Sequence, residues 1–272
     1  MFKRRGNASG HTDLVEPAEH ITALEREGAL LAAAADGRGL GAPVPACPGW
    51  EVRDLLRHLG YVHRWAAGYV GQARQTMVRE VPESEILGAG PADAHLLGWF
   101  TDGLGHLVRT LRSADPGLGC WTFLAAPSPL AFWARRQAHE TAIHRADAQG
   151  ADSDAVSPAI TPFPAGFAAD GIDELLTGFA PRGRFRAKTG DCDGVQSMQV
   201  RATDTGDEWT TEIGARITAR RGPGPGQCVL AGRASDLYLL LWNRLPVPGP
   251  VTVGGDGTVL KRWRARVRVT WN

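Results

Sequence analysis

Helical periodicity, sustained through the first 150 residues, constrains this chain more than any other feature. Residues 17–36, PAEHITALEREGALLAAAAD, space their apolar side chains as one helical face and run into the Gly-rich GRGLGAPVPACPGW. Residues 51–78 form a second run, with Leu55, Leu56, Leu59, Val62 and Trp65 on its apolar side. A third helix is expected over 91–115, although Gly98, Gly103 and Gly105 interrupt it. The fourth spans 128–150: Ser128 is the expected N-cap, Pro129 opens the first turn and Gly150 stops the helix. Helices of this length joined by modest connections predict an antiparallel four-helix bundle over residues 12–150.

The pattern then changes. The stretch ADSDAVSPAITPFPAG is rich in proline, serine and acid, which predicts a linker at 151–163 and a separate unit over 164–272. A helix is expected at 165–180 and strands at 195–203, 208–214 and 215–221, where β-branched residues lie between turn signals. Residues 234–246 read as helical, and the alternating RARVRVTW reads as a closing edge strand with its arginines facing water. The second half is therefore a small α+β domain.

Composition excludes some partners. With 30 basic and 29 acidic residues the net charge is +1, which gives no electrostatic reason to expect nucleic acid or an anionic membrane. No apolar run approaches the roughly 20 residues of a membrane span, and the polar start does not read as a signal peptide, so a soluble cytoplasmic protein is expected. Cys47, Cys120, Cys192 and Cys228 contain no C-x-x-C pair and make neither a disulfide framework nor a thiolate zinc site. Cys47, before a proline and a helix start, can be read as a nucleophile, but a small buried apolar residue is the better reading.

The chemistry-bearing motif is WARRQAHETAIHRADAQG, residues 133–150. It resembles a zinc-protease helix, yet such a helix needs two histidines four apart. Here the pair four apart is Glu140 and His144. At about 100° per residue these two share a face and His139 points elsewhere. A bundle metal site built on them needs a third ligand from another helix, with His58, His63, His95 and His106 on offer. His58 lies between Leu55 and Leu59 on the inward face, whereas His63 is rotated away by about 140° beside Arg64. His58 is the better candidate, and His139 and His63 are expected at the surface or behind the ligands. Asp147 is read as a solvated carboxylate ahead of its other reading, an acceptor behind a ligand histidine. Trp50 and Trp65 are read as core packing.

At these residues a family resemblance emerges. VPACPGWEVRDLLRHLGYVHRW, followed by RRQAHETAIHRADA, resembles the mycothiol-dependent maleylpyruvate isomerase family, a branch of the DinB-like bundles. AGRASDLYLLLWNRLP and VTVGGDGTVLKRW resemble its C-terminal domain, which is related in shape to sterol-carrier folds. The resemblance implies a divalent metal, usually zinc, held by His58, Glu140 and His144. It also implies mycothiol as thiol cosubstrate and an electrophilic small molecule as its target, with cis–trans isomerisation or S-transfer as the outcome. Arg244 resembles a family arginine near an interdomain cleft, where it would hold a substrate carboxylate. The insertion RRGPGPGQ and the arginine-rich end depart from a minimal isomerase. A non-catalytic binding protein of the same fold, or a metalloenzyme using bound water as nucleophile, are the alternatives.

Overall fold

The computed structural model describes residues 16–77, 82–88, 90–152, 159–182, 185, 194–247 and 249–268. Four long helices dominate the first half: α1 (Pro17–Arg38), α2 (Val52–Gly71), α4 (Asp93–Ser113) and α5 (Pro129–Gln149), with a one-turn α3 (Glu83–Gly88) between the second and third. Their starts are set locally. Glu16 with Glu19, and Glu51 with Asp54, form reciprocal capping boxes, and the Ser128 side chain accepts from the Ala131 amide at 3.1 Å. The second helix is shorter than its periodicity suggests, because Ala73 adopts a positive φ of 48° just beyond its end. Residue 78, the last of that expected run, lies outside the described residues.

In the bundle α1 lies along α5 and α2 along α4. One of the glycines that interrupt the third expected helix, Gly103, has a packing reason, as does Gly60 on α2. The Arg64 guanidinium stacks over Trp99 at 3.9 Å and donates to the Gly60 and Trp99 carbonyls. A β-carbon at Gly60 would run into the Trp99 ring, and one at Gly103 into Arg64. Helix propensity is given up here for close approach of α2 and α4.

The second half contains α6 (Ala165–Asp173), which continues as a π-helical turn over Glu174–Phe179, and a mixed sheet of five strands. These are β1 (Gln196–Ala202), β2 (Glu208–Ile213), β3 (Ile217–Arg221), β4 (Cys228–Gly232) and β5 (Thr252–Gly255), ordered β3-β2-β1-β4-β5. Only the β1–β4 pair is parallel. The helices α7 (Ala234–Leu241) and α8 (Gly257–Arg266) complete the unit. The closing edge strand is overturned: residues 264–266 end α8, and 269–272 lie outside the described residues. Asp256 caps that helix, and Val259, Leu260 and Trp263 bury one helical face, a period that overrides the Arg/Val alternation.

One apolar core runs through both halves, from Leu24, Ala66 and Trp133 in the bundle to Trp209, Leu230 and Trp263 in the sheet unit. Of the expected linker, residues 153–158 lie outside the described residues. Its end is tied down: the Thr161 amide donates to Gln149, the Thr161 carbonyl accepts from Arg145, and the Phe163 amide donates to Ser235. None of the described helices is long and apolar enough to cross a membrane.

A candidate metal centre on the buried central helix

Helix α5 is enclosed on every side, so its polar residues face neighbours instead of water. Arg136, His139, Thr141, His144, Arg145 and Asp147 are all buried. Buried polar groups persist only when paired, and each of these has a partner on a different element.

Toward α2, three predicted residues converge. The Glu140 Oε1 atom lies 3.2 Å from His58 Nε2 and 3.4 Å from His144 Nε2, and the two imidazole centroids are 5.1 Å apart. Donor atoms around a tetrahedral ion at 2.0–2.1 Å would stand roughly 3.3 Å from one another. Two neutral nitrogens and one carboxylate oxygen on facing helices therefore make a donor set of the right size and chemistry for a divalent cation. Trp50 covers the set, its ring 6.3 Å from His144 at 20° and 5.4 Å from His58. That tryptophan, expected as core packing, is half-buried, packs against the core of the bundle as expected, and also forms a wall of the site.

Behind His144 stands a chain of support. Its Nδ1 lies 2.9 Å from Asp147 Oδ2, and the Arg244 fork grips the same carboxylate through Nε at 2.8 Å and a terminal nitrogen at 2.9 Å. Arg244 also donates to the Trp242 carbonyl at 2.7 Å. Asp147 is thus fully buried, contrary to its reading as a solvated carboxylate. Its position three residues after His144, on the same helical face, is the signal that could have found it. A carboxylate on the far nitrogen fixes an imidazole's tautomer and orientation, as it does for metal-bound histidines generally.

The electrostatics favour a cation between the carboxylates. Burial opposes ionisation of Glu140, but hydrogen bonds with His144 and His58 and the charge of Arg136 outweigh it and hold the carboxyl well below its ordinary range. Burial likewise disfavours protonated His144, yet bonds to Asp147, Cys47 and Glu140 push it well above an ordinary histidine. Asp147 is held well below the usual range by Arg244 and His144, again against burial.

Other expected positions differ. His139 is buried, not at the surface, because α6 and α7 close over that side of α5. Its Nε2 lies 2.8 Å from Asp170 and its Nδ1 3.1 Å from the Tyr238 hydroxyl. His20 and Arg135 meet the same Asp170 oxygen, each at 2.9 Å. His20, His139 and Asp170 could hold an ion by distance alone. The oxygen that faces both histidines is itself taken by the Arg135 guanidinium, whereas at Glu140 the guanidinium takes the other oxygen. The cluster of His20, His139 and Asp170 ties α1, α5 and α6 together. His63 is also buried, bonded to Thr141 at 2.9 Å and packed on Phe100. Burial pushes its pKa down to about 3, against the pull of Glu140. Cys47 is half-buried, its sulfur 3.5 Å from Asp147, and burial together with that carboxylate raises its pKa, which is unlike an activated nucleophile.

A helical bundle carrying a His/Glu/His donor set, closed by a small mixed-sheet unit, defines a class of two-part proteins with an inward-facing candidate metal centre. Residues 21–149 match the family described as the mycothiol maleylpyruvate isomerase N-terminal domain, and residues 166–262 match its C-terminal domain. The chain belongs to the mycothiol-dependent maleylpyruvate isomerase family. A crystal structure of the mycothiol-dependent maleylpyruvate isomerase superposes with a TM-score of 0.62 at 13% identity, over 88% of this chain and 93% of that one. A histidine-to-alanine mutant of that enzyme gives 0.61 at 14% identity with the same coverage. Comparison with curated protein sequences gives no significant match. At such identities the structural likeness speaks for the fold.

Proposed function

We propose that this protein is a metal-dependent, mycothiol-using enzyme that activates the thiol for addition to an electrophilic small molecule, as a cis–trans isomerase or an S-transferase. The observation that carries the reading is the convergence of His58, Glu140 and His144 at 3.2 and 3.4 Å, with His144 backed by Asp147 and Arg244. Family membership supports thiol chemistry, and the solved relative is mycothiol-dependent.

A divalent ion, zinc by the donor set, supplies when bound a Lewis-acid position at which a coordinating thiol loses its proton. The chain's own residues do the rest. His58, Glu140 and His144 would hold the ion with three donors, one fewer than a tetrahedral ion takes, and the thiol would supply the fourth. Asp147 keeps the Nδ1 proton of His144 and leaves Nε2 for the ion. Trp50 shields one flank from water. Arg244 works here as a positioning residue: its fork is engaged by Asp147, and a substrate carboxylate would have to share it. In a pure binding protein a buried set of charges would be a cost without a return, which favours the enzymatic reading over the non-catalytic one.

The test is metal content. Purified protein should carry about one divalent ion per chain. His58→Ala, Glu140→Ala and His144→Ala should each abolish stoichiometric binding. His139→Ala should lower thermal stability and leave the folded fraction metal-loaded. Cobalt-substituted protein should develop a thiolate-to-metal band on adding mycothiol. No stoichiometric metal after reconstitution would overturn the proposal, whereas bound metal with no thiol band would favour water as the nucleophile.

A further inference from the structure

Beside the candidate metal centre lies a trio that the proposed mechanism does not use, with Arg136 and Glu174 buried and Phe179 half-buried. Arg136 sits one helical turn before Glu140 and donates to its Oε2 at 2.8 Å. Its other terminal nitrogen is bonded to Glu174, which lies in the second half of the chain. The guanidinium carbon stands 4.8 Å from the centroid of Phe179. Glu174 and Phe179 are the two ends of the π-helical turn, and the Ala180 amide reaching back to the Leu175 carbonyl at 2.8 Å shows its i-to-i+5 bonding. That bonding brings residues five apart nearer to one face than an α-helix would. Here it lets a carboxylate and a ring hold one guanidinium between them.

We propose that Arg136 is a positioning residue that fixes Glu140 as a one-oxygen ligand, and that the C-terminal unit, through Glu174 and Phe179, tunes the metal affinity of a site to which it contributes no ligand. This rests on the metal reading above. The geometry divides the Glu140 carboxylate: Oε1 faces His58 and His144, and Oε2 is committed to Arg136. A carboxylate freed of that bond can turn and offer both oxygens, which would fill the open position, or swing out of the site. An exposed i,i+4 ion pair is too weak to prevent this. Arg136 and Glu174 are both buried, so their charge-assisted bond holds the guanidinium much more firmly. Glu174 has a second effect. A lone guanidinium beside the site would repel a divalent ion, and the Glu174 charge offsets it.

The experiment uses the full-length chain, with cobalt and zinc affinity measured by competition against a chromophoric chelator and the cobalt absorption spectrum recorded alongside. Arg136→Gln should weaken metal binding about 10- to 100-fold, the usual range for a residue supporting a metal ligand. Its cobalt bands should change shape as Glu140 changes its mode of binding. Arg136→Lys should recover part of the affinity, since an ammonium can hold one carboxylate but not bridge two. Glu174→Gln, which keeps size and leaves the guanidinium uncompensated, should weaken binding several-fold. A merely structural trio would lower the melting temperature of these variants and leave affinity and spectrum unchanged, which would overturn the proposal. If Arg136→Gln does not fold, Arg136→Lys and Glu174→Gln decide it by the same readouts. Wild-type affinity in Glu174→Gln would overturn the role of the C-terminal unit. Wild-type protein that takes up no cobalt would overturn the metal reading itself, and this proposal with it.

Discussion

Single buried residues on α2 and α5 show how much of this protein's energetics depends on pairing. His63 carries the clearest consequence, because it is buried and its pKa lies at about 3 against an ordinary 6.5. Between those values the unfolded chain binds a proton that the folded chain refuses. Stability is therefore intact above about pH 6.5 and falls as the pH drops toward 3, with a limiting slope of about 1.4 kcal/mol per pH unit. His63→Gln removes the titration and keeps a hydrogen-bonding group near Thr141. Urea unfolding at pH 6.5 and pH 5, with chelator present so that bound metal does not contribute, should show a smaller loss of stability in the variant. An equal loss in both proteins would place the acid sensitivity elsewhere.

At the scale of elements, the α2–α4 contact gives two glycines opposite roles. Gly60 lies against the Trp99 ring, whereas Gly98 on α4 has open space where a β-carbon would go. Both are helical, so propensity alone would make alanine better at each by about 1 kcal/mol. At Gly98 that gain should appear in full. At Gly60 the added methyl must displace Trp99, with Arg64 stacked on it, and overpacking of this kind costs about 1–3 kcal/mol. Chemical denaturation should therefore show Gly98→Ala more stable than wild type and Gly60→Ala less stable. Two changes of the same sign would contradict the close approach of these helices.

At the scale of the whole molecule, the two halves are bound by charge as well as by a common core. Every proposed metal ligand lies within residues 12–150, yet Arg136, His139 and Asp147 find Glu174, Asp170 and Arg244 beyond it. Cutting the chain at 150 would remove those partners together with the elements that cover α5, and would bare the bundle's share of the common core, against a total stability of only about 5–15 kcal/mol. The fragment should bind a hydrophobic dye and melt without a cooperative transition in circular dichroism. A sharp melt near that of the full chain would show that the bundle stands alone.

The sequence by itself determined the long helices, the Ser128 cap of α5 and the strands β1, β2 and β3, because those follow from local periodicity and turn chemistry. It also placed Glu140 and His144 on one face and favoured His58 as their partner, since helical geometry turns spacing into direction. Its alternation misled at residues 264–266, where the buried stripe of Val259, Leu260 and Trp263 made a helix. Only the tertiary structure decided which polar residues of α5 are buried. A helix enclosed by the bundle on one side and by α6 and α7 on the other has no solvent face; nothing local distinguishes His139 from a surface residue, and the only local sign at Asp147 is its place three residues after His144. Their partners lie 31 and 97 positions along the chain. Such pairings exist only once the two halves have packed together, so local periodicity carries no trace of them.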